Sequence, residues 1–142
     1  NFMHENFFHQ VKVYYEDTDS GGVVYYANYL KFLERARTEA LYSIGYSNKK
    51  ILDDFKSLII VKSCNIDYRK ASHLENELTI RSFVKSITKT SFFMNQIITR
   101  GEDIIVEAQV HLVFVDTKGK PTKIPDEIYS KFKPYFCDTI KN

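Results

Sequence analysis

Hydrophobic residues recur at steps of three and four along the stretch from Tyr26 to Ile44, which is the spacing of one face of an α-helix. Tyr25 and Phe32 widen this face. A helix of ~19 residues would span roughly 28 Å, and Gly45 follows at the position of a helix terminator. We therefore predict one long helix that is buried over much of its girth. Its apolar positions are Tyr26, Tyr29, Leu30, Leu33, Ala36, Ala40, Leu41 and Ile44.

After this helix the chain switches to the alternation of apolar and polar residues that is typical of β-strands. Short turns at Lys89-Thr90 and Gly101-Glu102 favour antiparallel hairpins. In the last stretch we expect Ile104 and every second residue up to Phe114 to face the core. The predicted strands are about Leu58–Tyr68, Glu77–Thr88, Ser91–Arg100 and Ile104–Asp116.

Three shorter elements complete the prediction. Val11–Tyr15 alternates as a strand, Lys49–Phe55 favours a helical turn, and Asp126–Phe136 favours a short amphipathic helix begun by Pro125. One long helix against a five-stranded antiparallel sheet is an α+β arrangement. We expect a single domain over residues 1–142, with flexible ends at 1–8 and 137–142.

Composition narrows the function classes. The 142 residues are 44% hydrophobic, which is enough for one core, and the net charge of +2 is too balanced for a nucleic-acid partner. The longest apolar run, Leu58–Val61, is far below the roughly 20 residues that span a bilayer, so we expect no membrane insertion. The first residues lack the pattern of a signal peptide, and Cys64 and Cys137 form no disulfide framework, so we predict a cytoplasmic protein.

Candidate chemistry is concentrated between the first strand and the long helix, in Tyr15–Tyr29. Asp17 and Asp19 precede the glycine pair Gly21-Gly22, and the helix begins shortly afterwards. The first N–H groups of a helix are unpaired and can polarise a carbonyl, which the glycines let approach closely. An adjacent carboxylate could attack that carbonyl or deprotonate a water molecule. The pattern indicates acyl transfer, and a thioester would suit it.

Other uses of an Asp-x-Asp pair fit the surrounding residues less well, although such pairs are common as turn and helix caps. A calcium loop that began at Asp17 would need Glu at its twelfth position, where Asn28 stands. A phosphatase of the haloacid dehalogenase type would need alternating strands and helices, whereas strands follow here. His4, His9 and His73 form no spaced cluster, so we predict no metal.

The same stretch also carries a family pattern. Its positions are Tyr15, Asp17, Thr18, Asp19, Gly22, Val23, Val24, Tyr25 and Tyr26, followed by Glu34–Glu39. They resemble the motifs of hotdog-fold acyl-CoA thioesterases of the 4-hydroxybenzoyl-CoA thioesterase family, most of all the YbgC-type, Tol-Pal-associated members. The similarity continues, more weakly, from about Val11 to Phe132. It implies a hotdog fold, with a long central helix wrapped by a five-stranded antiparallel sheet, and hydrolysis of a CoA thioester to CoA and a carboxylic acid without a cofactor.

The resemblance also implies roles for individual residues. Asp19 would be the catalytic carboxylate, and the backbone N–H of Tyr25 or Tyr26 would be the oxyanion donor. The supporting residues would be Tyr15, Asp17 and Gly22, and the substrate-binding residues would be Val24 and Asn28. YbgC-type members usually carry His at the position of Tyr26, and a tyrosine with a reference pKa of about 10 cannot replace His as a base at neutral pH.

For partners, the resemblance implies an acyl-CoA substrate and a homo-oligomer, either a dimer or a dimer of dimers. Acyl carrier protein is the alternative carrier. Two other functions share this fold: a non-catalytic module that binds acyl groups or acyl carrier protein, and an acyl-thioester dehydratase, which would need a catalytic His. Phosphates of CoA would bind Arg or Lys. The candidates are Arg69, Lys70, Lys89, Arg100 and Lys120.

Overall fold

The computed structural model describes residues 4–137, which form five strands and three α-helices. The strands make one antiparallel sheet in the order β1-β3-β4-β5-β2, so the predicted α+β architecture of a long helix and a five-stranded antiparallel sheet is confirmed. Short 3₁₀ turns occupy Tyr15–Asp17 and Lys133–Tyr135. The elements are β1 (Phe7–Lys12), α1 (Tyr26–Ser43), α2 (Asn48–Phe55), β2 (Ser57–Tyr68), β3 (Glu77–Ile87), β4 (Ser91–Arg100), β5 (Asp103–Asp116) and α3 (Asp126–Phe132).

Helix α1 is the long helix of the hydrophobic pattern. It packs mainly against β1 and β3, and most of its apolar positions are buried. Leu30 is an exception at 46% exposure. Within residues 4–137 no helix is both long and apolar enough to cross a membrane. The buried residues of α1 are Tyr29, Phe32, Leu33, Ala36, Ala40 and Leu41.

The chain becomes ordered earlier than predicted. Strand β1 starts at Phe7 instead of Val11, and Phe7 is buried against Tyr135 with ring centroids 3.7 Å apart. The expected flexible start at 1–8 is therefore wrong for residues 7 and 8. At the other end, Cys137 is also buried, and its N–H donates to Val84 O at 2.8 Å. Residues 4–6 are also described, and the Glu5 N–H donates to Pro134 O at 2.8 Å. Residues 1–3 and 138–142 lie outside the described residues.

The inward face of β5 changes at a β-bulge. Ile98 of β4 pairs with Val106, but the next residue, Thr99, pairs with Ile104, so Ile105 is the extra residue. Ile105 is consequently fully buried and Ile104 is 38% exposed, which makes the predicted inward position of Ile104 wrong. From Val106 to Leu112 the predicted alternation is confirmed, with Ala108, Val110 and Leu112 buried. Phe114 is buried as predicted, but Val113 and Val115 on the opposite face are buried too.

Strand β2 is an edge of the sheet, and its hydrophobic side chains remain accessible. Ile60 is 45% and Val61 is 48% exposed, and Leu58 and Tyr68 are also exposed. An edge strand leaves a row of backbone N–H and C=O groups without a partner. The β2 edge therefore presents both hydrogen-bonding groups and apolar surface to another molecule.

Candidate active site

A tight loop joins the Tyr15–Asp17 turn to α1 and places Asp19 at its centre. The Asp19 N–H donates to Val23 O at 2.9 Å, and the Gly22 N–H donates to Asp19 O at 3.0 Å. Gly22 has a φ of 82°, in the left-handed region that glycine adopts without strain. The glycine turn predicted from the sequence therefore folds back on Asp19.

The two oxygens of the Asp19 carboxylate have different environments. Oδ1 accepts the N–H of Gly21 at 2.8 Å and that of Val23 at 3.3 Å. Oδ2 has no hydrogen-bond partner among residues 4–137, and the side chain is exposed. The turn thus orients the carboxylate through one oxygen and leaves the other available to a substrate or a water molecule.

The start of α1 supplies free N–H groups beside this carboxylate. Tyr25 is the N-cap residue, and its own N–H donates to Asp17 O at 3.2 Å. The N–H groups of Tyr26 and Ala27 have no acceptor in the described part of the chain. Of the two predicted oxyanion donors, Tyr25 is therefore already engaged, and Tyr26 is the one that can bind a carbonyl oxygen.

Asp17 holds the loop against the helix. Its Oδ2 accepts the N–H of Tyr14 at 2.9 Å, and its carbonyl accepts both the Tyr25 N–H and the side-chain amide of Asn28 at 2.8 Å. Asn28 does not line the cleft described below, and its side-chain contact in the structure is this bond to Asp17. Tyr15 is 80% exposed and also lies outside the cleft; its carbonyl accepts the N–H and hydroxyl of Thr18.

Asp19 and Tyr26 line one cleft of about 390 Å³. The loop, the first turn of α1 and the end of β2 meet there, which brings the predicted residue Val24 together with two tyrosines that sequence reasoning missed, Tyr29 and Tyr68. Tyr29 lies one helical turn after Tyr26 and could have been found from that spacing, whereas nothing in the sequence connects Tyr68 to the loop. The lining residues are Asp19, Val23, Val24, Tyr25, Tyr26, Tyr29, Tyr68, Arg69, Lys70 and Ala71.

Aromatic rings form one wall of the cleft. The Tyr68 ring lies 4.9 Å from that of Tyr26 and 5.9 Å from that of Tyr29, measured between centroids. Burial raises the pKa of the Tyr68 phenol, and neighbouring Cys64, Tyr26 and Tyr29 raise it further. The phenol of Tyr68 is therefore uncharged at neutral pH and can donate a hydrogen bond but cannot act as a base.

Two cations lie at the mouth of the cleft, each held by a carboxylate. Arg69 pairs with Asp67 at 3.0 Å and with Glu107 at 3.1 Å. Lys70 pairs with Asp103 at 2.8 Å, and hydrogen bonds from Lys70 and Arg100 hold the pKa of Asp103 below its ordinary value. This carboxylate consequently stays ionised at neutral pH, and Asp67, Glu107 and Asp103 balance the charges of Arg69, Lys70 and Arg100 at the rim.

The other predicted phosphate ligands lie elsewhere. Lys89 follows the far end of β3 and Lys120 follows the far end of β5, whereas the cleft lies near the start of both strands. At about 3.3 Å per residue, these strands separate the two lysines from Asp19 by roughly 30 Å or more. Neither lysine lines the cleft of its own chain.

Glu34 and His111 make structural contacts away from the Asp19 loop. Glu34 accepts the Thr38 hydroxyl at 2.9 Å and makes no ion pair with Lys31 or Arg37 within the described residues. His111 stacks on Phe93 with centroids 4.1 Å apart. Residues 4–137 contain no group of three side chains that could hold a metal ion.

Cys64 is no better suited to nucleophilic chemistry. Burial raises the pKa of its thiol, which the positive charge of Arg37 offsets only in part. A thiol with a raised pKa is mostly protonated at neutral pH, and the protonated form is not the nucleophile.

The profile of the thioesterase-like superfamily matches residues 13–132, which include the Asp19 loop, α1 and all of the sheet except β1. The chain belongs to this superfamily. The family predicted from the motif is thereby confirmed, and the hotdog fold with it.

Individual thioesterases are similar over most of the chain. The acyl-CoA thioesterase YbgC of Haemophilus influenzae is 37% identical over 86% of this chain and 90% of its own length. The acyl-CoA thioester hydrolase YbgC of Escherichia coli is 38% identical over 87% and 92%. Among solved structures, a probable thioesterase from Bartonella henselae superposes with a TM-score of 0.81 at 33% identity, over 85% of this chain and 100% of that one.

Proposed function

We propose that this chain hydrolyses acyl-CoA thioesters to CoA and a carboxylic acid, with Asp19 as the catalytic carboxylate and the Tyr26 N–H as the oxyanion donor. One observation carries the proposal: a carboxylate with a free oxygen and a helix start with a free N–H line the same cleft. The names of the relatives support the substrate class. Tyr25, Asp17, Gly22 and Val24 then shape the site around these two groups.

In the proposed reaction the thioester carbonyl oxygen accepts the Tyr26 N–H, and the developing negative charge lies at the positive end of α1. Asp19 Oδ2 can attack the carbonyl carbon, which breaks the C–S bond, releases CoA thiolate and leaves a mixed anhydride that water hydrolyses. Alternatively, Asp19 takes a proton from a water molecule that attacks the carbon, and this proton passes to the departing sulfur. Both routes yield CoA and a carboxylic acid, and neither uses another cofactor.

The test is Asp19→Asn, measured as thiol release from a panel of short, long and aromatic acyl-CoAs. The amide oxygen can still accept the N–H groups of Gly21 and Val23, so the loop should keep its fold. We expect kcat/KM to fall by about 10² or more, since the variant has no basic oxygen. Asp53→Asn on the outer face of α2 is the matched control and should leave kcat/KM unchanged. Hydrolysis at wild-type rates by Asp19→Asn would refute the proposal.

A non-catalytic acyl-binding module remains the second candidate because of the tyrosine at position 26. The described residues that line the cleft include no His, which also argues against a dehydratase. Tight binding of acyl-CoA or acylated acyl carrier protein by the wild type, with no turnover of either, would favour this second function over hydrolysis.

We further propose that the enzyme works in the cytoplasm as a homo-oligomer, with β2 as the surface through which two copies pair, and dimers pairing in turn. The support is the exposed apolar edge of β2, together with the position of Tyr68 at its end, inside the cleft. Arg69 and Lys70 at the rim are the proposed contacts for the CoA phosphates.

A further inference from the structure

Arg37 is a half-buried cation that forms no ion pair within residues 4–137. Its Nη1 donates to Gln96 Oε1 at 3.0 Å, and Gln96 is itself fully buried, donating to Leu33 O and Ser82 Oγ at 3.1 Å each. No carboxylate of residues 4–137 lies within ion-pair distance of the guanidinium. Burial of the guanidinium lowers the pKa of Arg37 from its ordinary value, and neighbouring Cys64 and Glu34 offset this only in part.

The guanidinium lines a cavity of about 140 Å³ that is otherwise mostly apolar. The walls come from the middle of α1 and from strands β2, β4 and β5. Only one of the five N–H donors of Arg37 is used, so the planar fork can still bind a carboxylate through two hydrogen bonds. The apolar side chains that line the cavity include Leu41, Ile59, Val61, Met94 and Leu112.

This cavity and the candidate active-site cleft both have walls from α1 and β2. Strand β2 runs opposite to α1, so that Tyr68 contacts the first turn of the helix while Ile59 and Val61 line the cavity with Arg37. Cys64 lies between them on β2 and interacts electrostatically with both Tyr68 and Arg37. An extended ligand that followed β2 from the cleft to the cavity would start at Tyr26 and end at Arg37.

The length of that ligand follows from helix geometry. Tyr26 and Arg37 are eleven residues apart, or about 16 Å along the axis, and a helical side chain leans back toward the N-terminus by several ångströms. A gap of roughly 10 Å remains between the Tyr26 N–H and the guanidinium. An extended chain advances about 1.2 Å per bond, so roughly eight bonds span the gap.

We propose that Arg37 is a specificity-determining residue that binds a carboxylate at the far end of the acyl group, so that the preferred substrates are ω-carboxyacyl-CoA thioesters of medium length. This inference rests on the proposed thioesterase function. Glu34 also lines the cavity, and its exposed carboxylate would repel such a ligand. The alternative ligand of Arg37 is a carboxylate from a second copy of the chain.

The first experiment measures binding in the Asp19→Asn background, where no turnover intervenes. Suberate and octanoate have the same chain length, and only suberate carries the second carboxylate. We expect suberate to bind at least tenfold more tightly than octanoate, and Arg37→Gln to abolish the difference. Glu34→Gln, one turn earlier on α1, is the matched variant because it removes a negative charge from the same cavity. It should therefore strengthen suberate binding. Equal affinities of the two acids for the Asp19→Asn protein would overturn the proposal.

The second experiment compares turnover of suberyl-CoA and octanoyl-CoA, with the oligomeric state measured by light scattering. We expect wild type to favour suberyl-CoA in kcat/KM by tenfold or more. Arg37→Gln should lose this preference while it retains octanoyl-CoA hydrolysis, and Arg37→Lys should keep part of it, because the charge remains without the fork. The proposal would be refuted if wild type showed no preference for suberyl-CoA and Arg37→Gln dissociated into monomers. In that case the carboxylate that Arg37 binds would belong to the partner copy.

The outcomes separate this inference from the proposed function. Suberate binding that depends on Arg37, in a protein that hydrolyses no thioester, would support the Arg37 site and contradict the thioesterase mechanism. Hydrolysis that depends on Asp19, with equal rates for suberyl-CoA and octanoyl-CoA, would support the thioesterase mechanism and contradict the Arg37 site.

Discussion

At the scale of single residues, the proposed contribution of Tyr26 comes from its main chain. Its side chain is 66% exposed, whereas its N–H lies at the first helical position and has no acceptor among the described residues. A backbone donor is supplied by any residue except proline. Tyrosine at this position can therefore supply the proposed oxyanion donor as well as the His that the family resemblance implies.

Tyr26→Pro and Tyr26→Ala separate the N–H from the side chain. Proline is favoured at the first position of a helix, and Tyr25 already has the extended conformation that a following proline requires, with φ of −72° and ψ of 140°. We expect Tyr26→Pro to lower kcat by about 10² to 10³ relative to Tyr26→Ala, with the same helical circular dichroism in both. Equal kcat values for the two variants would show that the Tyr26 N–H does not bind the oxyanion.

At the scale of elements, the bulge in β5 decides which of two neighbouring isoleucines enters the core. The extra residue reverses the alternation, so Ile105 packs beneath α1 in a cluster with Leu33 and Ile98 while Ile104 turns outward. The loop that holds Arg69 begins opposite this point, since the Arg69 N–H donates to Ile105 O at 2.8 Å. The bulge therefore also positions the rim of the cleft.

A pair of alanine substitutions tests this assignment. Ile105→Ala should reduce the free energy of unfolding by roughly 2–4 kcal/mol, because it removes buried methylenes and leaves a cavity. Ile104→Ala should cost less than about 1 kcal/mol, since the side chain is already partly in water. Denaturant titration of both variants measures the difference. A larger loss of unfolding free energy for Ile104→Ala than for Ile105→Ala would contradict the bulge and favour the uninterrupted alternation that the sequence predicts.

At the scale of the whole molecule, the two edges of the sheet are unequal. Near the β1 edge, the Glu5 N–H donates to Pro134 O and Phe7 stacks on Tyr135, so the C-terminal segment packs against the start of this strand. The β2 edge instead exposes Ile60 and Val61 along a strand of 12 residues. Long apolar edges favour pairing with another chain, which is why we assign the oligomer contact to β2.

Ile60→Lys tests the β2 contact. In a symmetric pair the lysine would be introduced on both copies, where charge opposes the pairing of strand edges. We expect the dissociation constant of the dimer to rise at least tenfold, as measured by light scattering over a concentration series. Phe8→Lys places the same charge on the exposed position of β1 and is the control. Dissociation by Phe8→Lys with no effect of Ile60→Lys would move the contact to the other edge.

Much of this protein was readable from local sequence. The spacing of apolar residues predicted α1, which ends at Ser43, one residue before the predicted last position, Ile44. Alternation predicted β4 with the correct ends, and the short turns predicted its two hairpins. These features depend on interactions between residues a few positions apart, which is why a sequence pattern can reveal them.

Local chemistry similarly predicted the fold of the Asp19 loop. An aspartate beside two glycines favours a turn in which the carboxylate accepts backbone N–H groups, and Asp19 does so with Gly21 and Val23. The same rule could not tell that Asn28 bonds to Asp17, or that the Tyr25 N–H is already engaged. Those two bonds depend on how the loop returns across the start of the helix.

Only the tertiary structure decided which distant residues meet. Tyr68, Arg69 and Lys70 join Asp19 because β2 runs antiparallel to β5 and ends beside α1. Lys89 and Lys120 follow the opposite ends of their strands and do not line the cleft. Contacts between distant residues also produce the Ile105 bulge and the hydrogen bond of Arg37 to Gln96, 59 residues later. The sequence by itself determined the long helix, most of the strands and the carboxylate turn, since each depends on neighbouring residues. Strand register and packing, which depend on contacts between remote parts of the chain, determined the cleft.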